Sequence, residues 1–284
     1  MASRMVVTVS SNKGGCGKTT TAVHLAAGLA NAGHQVLLAD LDKQGHCATF
    51  LGRDPAPRLY DLLVKERPLA ELIVEARPRL HLLAGNSESL VAQDFARLRN
   101  AQADLLERAI VEKAIGYDYV VFDTPPQGLL QECAIYSADV LITPAPVDYP
   151  GMDGAAQFVL LAQRIQERER LPAPRLFVLP MFVDRRTSEA RYNLEALQER
   201  FGEWVLEAVP VRTRMREAIA EGETIFDYAP GDDIADIYTG LCRTIAALRT
   251  DAAHSDAAQS DAAQSDAAQS DAAQSDAACT EGKG

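Results

Sequence analysis

Long hydrophobic runs are missing from this 284-residue chain. Its longest apolar stretches, Met5 to Val9, Val36 to Ala39 and Val120 to Phe122, are strand-sized. They fall far short of the ~20 residues that a membrane span requires. Met1, Ala2, Ser3 and Arg4 lead straight into the first of them, leaving no room for a signal peptide. A cytoplasmic protein with no membrane partner is therefore expected. The five cysteines (Cys16, Cys47, Cys133, Cys242 and Cys279) show neither CxxC nor Cys/His spacing. That absence points away from a zinc motif and predicts reduced packing thiols. A basic surplus is missing too, since the net charge is −12. From Thr250 onward, six aspartates and Glu281 stand against Lys283, so this stretch carries −6 and the rest of the chain the other −6. A mildly acidic body argues against nucleic acid unless a local basic patch overrides the average.

What is present is ordinary for a globular protein: 47% hydrophobic and 24% charged residues. The length suits one large α/β domain or two small ones. Met5 to Ser10 reads as a β-branched strand followed by a Gly-rich turn. Lys18 to Asn31 has helical spacing, Gly33 ends it, and Gln35 to Asp40 is the next strand. Further strands are predicted near Leu80 to Ala84, Tyr119 to Asp123, Val140 to Pro144 and Leu176 to Val183. Helices are predicted near Ser87 to Lys113, Met152 to Arg168, Glu189 to Phe201 and Asp233 to Arg249. Apolar strands alternating with helices indicate an α/β fold, a doubly wound, mostly parallel sheet with helices on both faces. One domain is expected over residues 1–249. From Asp251 a five-residue repeat, Asp-Ala-Ala-Gln-Ser, takes over. It offers no large apolar residue, so residues 250–284 are expected to form an acidic, solvated, disordered tail.

The strongest signal is Lys13-Gly14-Gly15-Cys16-Gly17-Lys18-Thr19-Thr20, set between a strand and a helix. Glycines let backbone N–H groups converge on phosphate oxygens, and a helix N-terminus adds favourable partial charge. Lys18 is placed to reach the β- and γ-phosphates of ATP, and the Thr19 hydroxyl to ligate Mg²⁺. A lysine at the first position, followed by Gly-Gly, resembles the deviant Walker A motif of the ParA/MinD/Soj family of dimerising ATPases. The resemblance extends over most of residues 5 to 249. It implies that Lys13 crosses a homodimer interface to the partner's ATP, a trans cation acting as an arginine finger does. Asp40 and Asp42, in Val36 to Asp42, resemble the family's second acidic motif. Asp40 would lie near the metal and Asp42 would orient the attacking water. At i and i+2 on a strand, both carboxylates would point the same way. Lys43 stands where relatives usually have proline. Asp123, in Asp123-Thr124-Pro125-Pro126, resembles the family's Walker B and would hold the Mg²⁺ shell.

Quieter resemblances lie in the last third of the body. Met181 to Thr187 and Val209 to Ala218 look like the family's strand-end and proline-containing segments. By that resemblance Met181, Pro210, Val211 and Arg212 would surround the adenine. Arg186, Arg214 and Arg216 would contact DNA, with Arg212 and Arg216 sharing a helix face. The resemblance implies an ATPase that dimerises on ATP and coats nucleoid DNA without sequence preference. A ParB-like or other cargo adaptor would stimulate hydrolysis. The alternative is a MinD-like regulator or a metabolic P-loop enzyme that does not act on DNA. The former would need a basic amphipathic C-terminal helix, where this chain has its acidic repeat.

Overall fold

The computed structural model describes residues 4–251. Residues Arg4–Arg243 form one compact unit, and among the described residues 244–251 belong to a second. The first unit opens with β1 (Met5–Val9), a Gly-rich turn, α1 (Lys18–Asn31) and β2 (Val36–Asp40). Three short helices come next, α2 (His46–Phe50), α3 (Arg58–Leu63) and α4 (Leu69–Leu72), before the hairpin β3 (Val74–Arg77) and β4 (Leu80–Leu83). Then come α5 (Glu88–Leu98), a π-helical turn (Glu107–Val111), β5 (Tyr119–Asp123), α6 (Leu129–Tyr136), β6 (Val140–Pro146) and α7 (Tyr149–Glu169). The unit continues through β7 (Arg175–Val183), α8 (Ser188–Phe201), β8 (Val209–Pro210), α9 (Thr213–Ala220) and α10 (Ile225–Tyr228). A last helix begins at residue 233 and runs to 251. The predicted acidic tail, apart from Thr250 and Asp251 at the end of that helix, lies outside the described residues.

The eight strands form one sheet in the order β3-β4-β2-β5-β1-β6-β7-β8. Every pairing is parallel except β3 with β4. β1, β2 and β5 are buried along their whole length. Apart from Thr8 and the terminal aspartates Asp40 and Asp123, their residues are apolar because helices cover both faces. On one face Val6, Leu37, Val120 and Phe122 pack with Leu59, Ile110 and Leu130. The edge strands β3 and β8 are short, four and two residues, which limits unwanted pairing at the sheet margins.

Two expectations need correction, and one hairpin was not predicted. The helix predicted over Ser87 to Lys113 is broken: α5 stops at Leu98, and Asn100 takes a left-handed φ of 52°. Asparagine tolerates that conformation better than most residues, and a continuous helix does not. The hairpin β3–β4 puts an antiparallel edge on the otherwise parallel sheet, turning at Arg79 with φ 65°. Finally, β2 ends at Asp40, so Asp42 lies beyond the strand and the i, i+2 alternation does not reach it.

Two turns meet at close range. Gly52 follows α2 and Gly222 follows α9, both at positive φ, 65° and 67°. A Cβ on Gly222 would stand 2.6 Å from the Gly52 Cα. Arg77 fastens the junction, donating from Nη1 to Leu51 O at 2.9 Å and from Nη2 to Gly222 O at 2.9 Å.

Candidate functional site

In an open parallel sheet, ligands bind beyond the carboxyl ends of the strands where the chain winds in opposite directions. β1 lies between β5 and β6, and the Gly-rich turn leaves from its carboxyl end. Gly15 and Gly17 turn the chain at φ 72° and 97°. Beside Gly14 and Gly15, the directions a Cβ would take are open, whereas a Cβ on Gly17 would strike Met181 Cε at 2.6 Å. The N-cap of α1 is Gly17 itself, with no side chain capping the first turn. The amides there are left for a ligand, and the helix dipole favours an anionic one.

Lys18 is buried and folds back over the turn, donating from Nζ to Lys13 O at 2.7 Å. The Lys13 stem lies along α7, its Cγ, Cδ and Cε 3.2–3.4 Å from where a Cβ on Gly154 would sit. Glycine at 154 is thus what makes room for Lys13. Behind the turn, Gln131 of α6 donates from Nε2 to Ser10 Oγ at 3.0 Å and to Asn12 Oδ1 at 3.2 Å. The Thr124 hydroxyl lies 2.9 Å from the same Ser10 oxygen. This buried brace holds the ends of β1 and β5 together, and no motif pointed to it.

A compact acidic centre lies beneath. The Thr19 hydroxyl donates to Asp123 Oδ2 at 2.7 Å, and the Cys47 thiol donates to the same oxygen at 3.3 Å. Asp40 accepts from the backbone N–H of Asp42 at 3.1 Å and of Cys47 at 3.0 Å. Asp40 and Asp123 are buried, and Asp123 Oδ1 has no partner. Burial pushes the Asp123 carboxyl up to about 6, against the pull of Thr19, Cys47 and Lys18. Burial, reinforced by the neighbouring Asp123 charge, also raises Asp40 well above the usual carboxylate range. Two buried carboxylates with an orphaned oxygen fit a divalent cation, which would relieve the cost of burying both charges. Thr19, Asp40 and Asp123, the three residues expected to hold a metal, thus lie together. Cys47, expected to be a packing residue, is part of the same centre. The four described cysteines are all buried and free.

Asp42, whose backbone N–H is bonded to Asp40, is not itself buried in the acidic centre. Half-buried, it accepts from Gln44 N at 3.0 Å and lines a cleft of about 440 Å³ with Gly14, Gly17, Lys18, Thr19 and Thr20. Phe182, at φ 60° and 44% exposed, stands at the wall of that cleft.

The residues predicted to surround the adenine are divided. Pro210, Val211 and Arg212 line a second cleft of about 1010 Å³ with Asp184, Asp233 and Ile237. Met181 is absent from that lining and packs beneath the phosphate turn at Gly17. Arg212 precedes α9 in an extended conformation, so it shares no helix face with Arg216. The arginines predicted to meet DNA are exposed but mostly paired. Arg186 is bidentate on Asp184, holding that carboxyl down to about 2. Arg212 pairs with Asp233 through two bonds, and Arg214 lies 3.6 Å from Asp232. Arg216 is exposed on α9.

A strand–glycine turn–helix with a buried lysine, a hydroxyl and two carboxylates at its base defines a P-loop nucleotide-binding protein, here with a further lysine heading the loop. Comparison with known proteins agrees. A family model described as an AAA domain matches residues 4–172. The sporulation initiation inhibitor protein Soj of Bacillus subtilis is 30% identical over 254 residues, covering 85% of this chain and 98% of that protein. The chromosome-partitioning ATPase Soj of Thermus thermophilus is 36% identical over 246 residues, covering 85% and 95%. A solved structure named cobyrinic acid a,c-diamide synthase, from Mycobacterium smegmatis with bound ATP analog and magnesium, superposes with a TM-score of 0.67. It is 29% identical, covering 78% of this chain and 92% of that one. The chain belongs to the ParA/Soj branch of the ParA/MinD family of P-loop partition ATPases. Among the described residues no helix is long and apolar enough to cross a membrane.

Proposed function

We propose that this protein hydrolyses ATP slowly as a nucleotide-bridged homodimer, binds DNA without sequence preference, and positions a cargo through a ParB-like or other adaptor. The observation that carries this reading is the joining of Lys18, Thr19, Asp40 and Asp123 under a Gly-rich turn headed by Lys13. Gly14, Gly15, Cys16, Gly17 and Thr20 would present backbone N–H groups to the phosphates, and Lys18 would turn from Lys13 O to a phosphate oxygen. Thr19, Asp40 and Asp123 would hold Mg²⁺, which when bound neutralises phosphate charge and orients the β- and γ-oxygens. Asp42, facing the phosphate cleft, would position the attacking water. Lys13 would leave α7 to reach the partner's nucleotide. Pro210, Val211 and Arg212 would flank the base, with Met181 supporting the loop from below.

The dimer would follow from mass action, because a ligand bound across two protomers stabilises their association. Loss of the bridging phosphate would dissolve it. DNA contact is proposed for Arg186, Arg214 and Arg216, doubled by dimerisation so that two weak patches engage together. The protein would then be associated with the nucleoid. Light scattering with and without ATP tests the central step. Asp42→Ala should bind ATP and accumulate as a dimer, whereas Lys18→Ala should remain monomeric; a monomeric Asp42→Ala in ATP refutes the assigned role. On the Asp42→Ala background, Arg214→Glu should abolish mobility shifts of unrelated DNA fragments while the dimer persists. Absence of any shift at low salt with Arg214 intact refutes the DNA component.

A further inference from the structure

We propose that Asp40, Cys47 and Asp123 form a binding site for a thiophilic divalent cation of the zinc class in the nucleotide-free protein. One ligand atom from each of the three lies within 4.8 Å of the other two, and all three residues are buried. A tetrahedral zinc ion has Zn–S near 2.3 Å and Zn–O near 2.0 Å, so a coordinated sulfur and oxygen lie roughly 3.5 Å apart. Cys47 Sγ stands 3.3 Å from Asp123 Oδ2, already at that separation. The remaining separations, which reach up to 4.8 Å, would have to close by about 1 Å to bring the set around one ion.

Two observations favour a cation in this centre. Asp123 Oδ1 is buried with no hydrogen-bond partner, a state that costs free energy unless something occupies it. The ammonium of Lys18, the nearby cation, donates to Lys13 O at 2.7 Å and leaves that oxygen unanswered. The identity of the ion follows from the donors. Magnesium takes oxygen ligands in octahedral array and keeps its waters. A thiol pointing at the shared carboxylate favours softer ions, for which sulfur is a strong ligand once its proton leaves to solvent. Thr19 Oγ1, 2.7 Å from the same Asp123 oxygen, is positioned as a fourth donor or to hold a water. The α2 N-terminus keeps Cys47 in place, since its N–H is bonded to Asp40 Oδ2.

The consequence is competition. Thr19 and Asp123 would be shared between this ion and the magnesium of the nucleotide, so the two could not be held together. That step rests on the proposed nucleotide function; the binding of the ion itself does not.

Cadmium chloride, titrated into the nucleotide-free full-length chain and followed by thiolate-to-metal charge-transfer absorption, tests the site. A Cys279→Ser background removes the thiol beyond the described residues. One saturable equivalent is expected. Cys47→Ser should lose the band and weaken binding about tenfold or more, the scale on which metal sites respond to loss of a supporting group. Asp40→Asn, which preserves shape and the thiol, should weaken binding while keeping the band at saturation. A full band in Cys47→Ser, or none in the parent while circular dichroism stays native, overturns the proposal. Preloading with magnesium and a non-hydrolysable ATP analogue should suppress the band. If cadmium binds but the nucleotide fails to displace it, the thiolate site stands and the shared-metal reading falls. If the band is absent while the analogue binds normally, the thiolate site and the competition both fall and the nucleotide function stands.

Discussion

The two ends of this site are built on opposite terms. At the phosphate end, Lys18, Asp40, Cys47 and Asp123 are buried, and each polar contact is made by a group that has few alternatives. At the arginine end, Arg186, Arg212 and Arg214 lie in solvent, each beside an aspartate from the same face. Buried charges are costly to disturb, since removal of one partner leaves the other stranded. Exposed pairs are worth about 0–1 kcal/mol and exchange readily. The buried side is therefore costly to rearrange, whereas the outer charge pattern is free to re-pair.

The largest break in that comparison should come from Lys18→Ala. Removing one member of a buried charged contact costs about 2–5 kcal/mol, so affinity for an ATP analogue should fall about a hundredfold or more by calorimetry. Unchanged affinity would mean that the turn alone binds the nucleotide.

His24 sharpens the buried side. It bridges α1 to α10, with Nδ1 2.8 Å from Thr20 O and Nε2 accepting from Ile225 N at 3.0 Å. That assigns a neutral ring with its proton on Nδ1. Burial lowers its pKa from 6.5 to about 4. The unfolded chain thus binds a proton that the folded one refuses, and His24's contribution to stability falls as pH drops from 6.5 towards 4. The loss amounts to about 3 kcal/mol. Asp123, with its raised pKa, works the other way in part of that range. The clean measurement is therefore the difference between wild type and His24→Gln. Their denaturation free energies should differ most above pH 7 and converge towards pH 4; a constant gap would refute the assignment.

Gly17→Ala should cost about 1–3 kcal/mol, read from the denaturant midpoint, because alanine pays for φ 97°. The contact with Met181 involves the free end of a flexible side chain and adds less. On the arginine side the smallest effect is expected. Asp232→Asn retains a side-chain oxygen for the Ile234 N–H while releasing Arg214. Stability should change by less than about 1 kcal/mol. DNA binding in ATP should tighten a few-fold, with a salt slope steeper by up to about 1. Weaker binding would mean that Asp232 orients Arg214 for its task.

Much of this was legible in the sequence, for a physical reason. β1, β2 and β5 are apolar except at Thr8 and at the carboxyl-end aspartates Asp40 and Asp123, because both sheet faces are covered, and the glycines and Lys18-Thr19 carry their chemistry locally. What escaped was non-local or conformational. Cys47 enters the acidic centre only because α2 folds back on Asp40, across seven residues. Gln131 braces Ser10 from 121 residues away. The end of β2 at Asp40 and the turn at Asn100 are set by backbone geometry that an apolar pattern does not encode. Arg212 was placed on a helix that starts one residue later. The paired aspartates of the arginine face were visible as residues but not as neighbours.

The meeting of Gly52 and Gly222 has a mechanical meaning. Most contacts between turns are cushioned: a side chain sits between them, and it can change rotamer when one turn moves. Here main chain rests on main chain, and Arg77 clasps both. One turn ends the segment whose first residues are bonded to Asp40, and the other ends the helix that carries Arg214 and Arg216. With nothing compressible in the joint, it behaves as a bearing. A displacement at the acidic centre that shifted α2 would be met at once by the turn that ends the arginine helix.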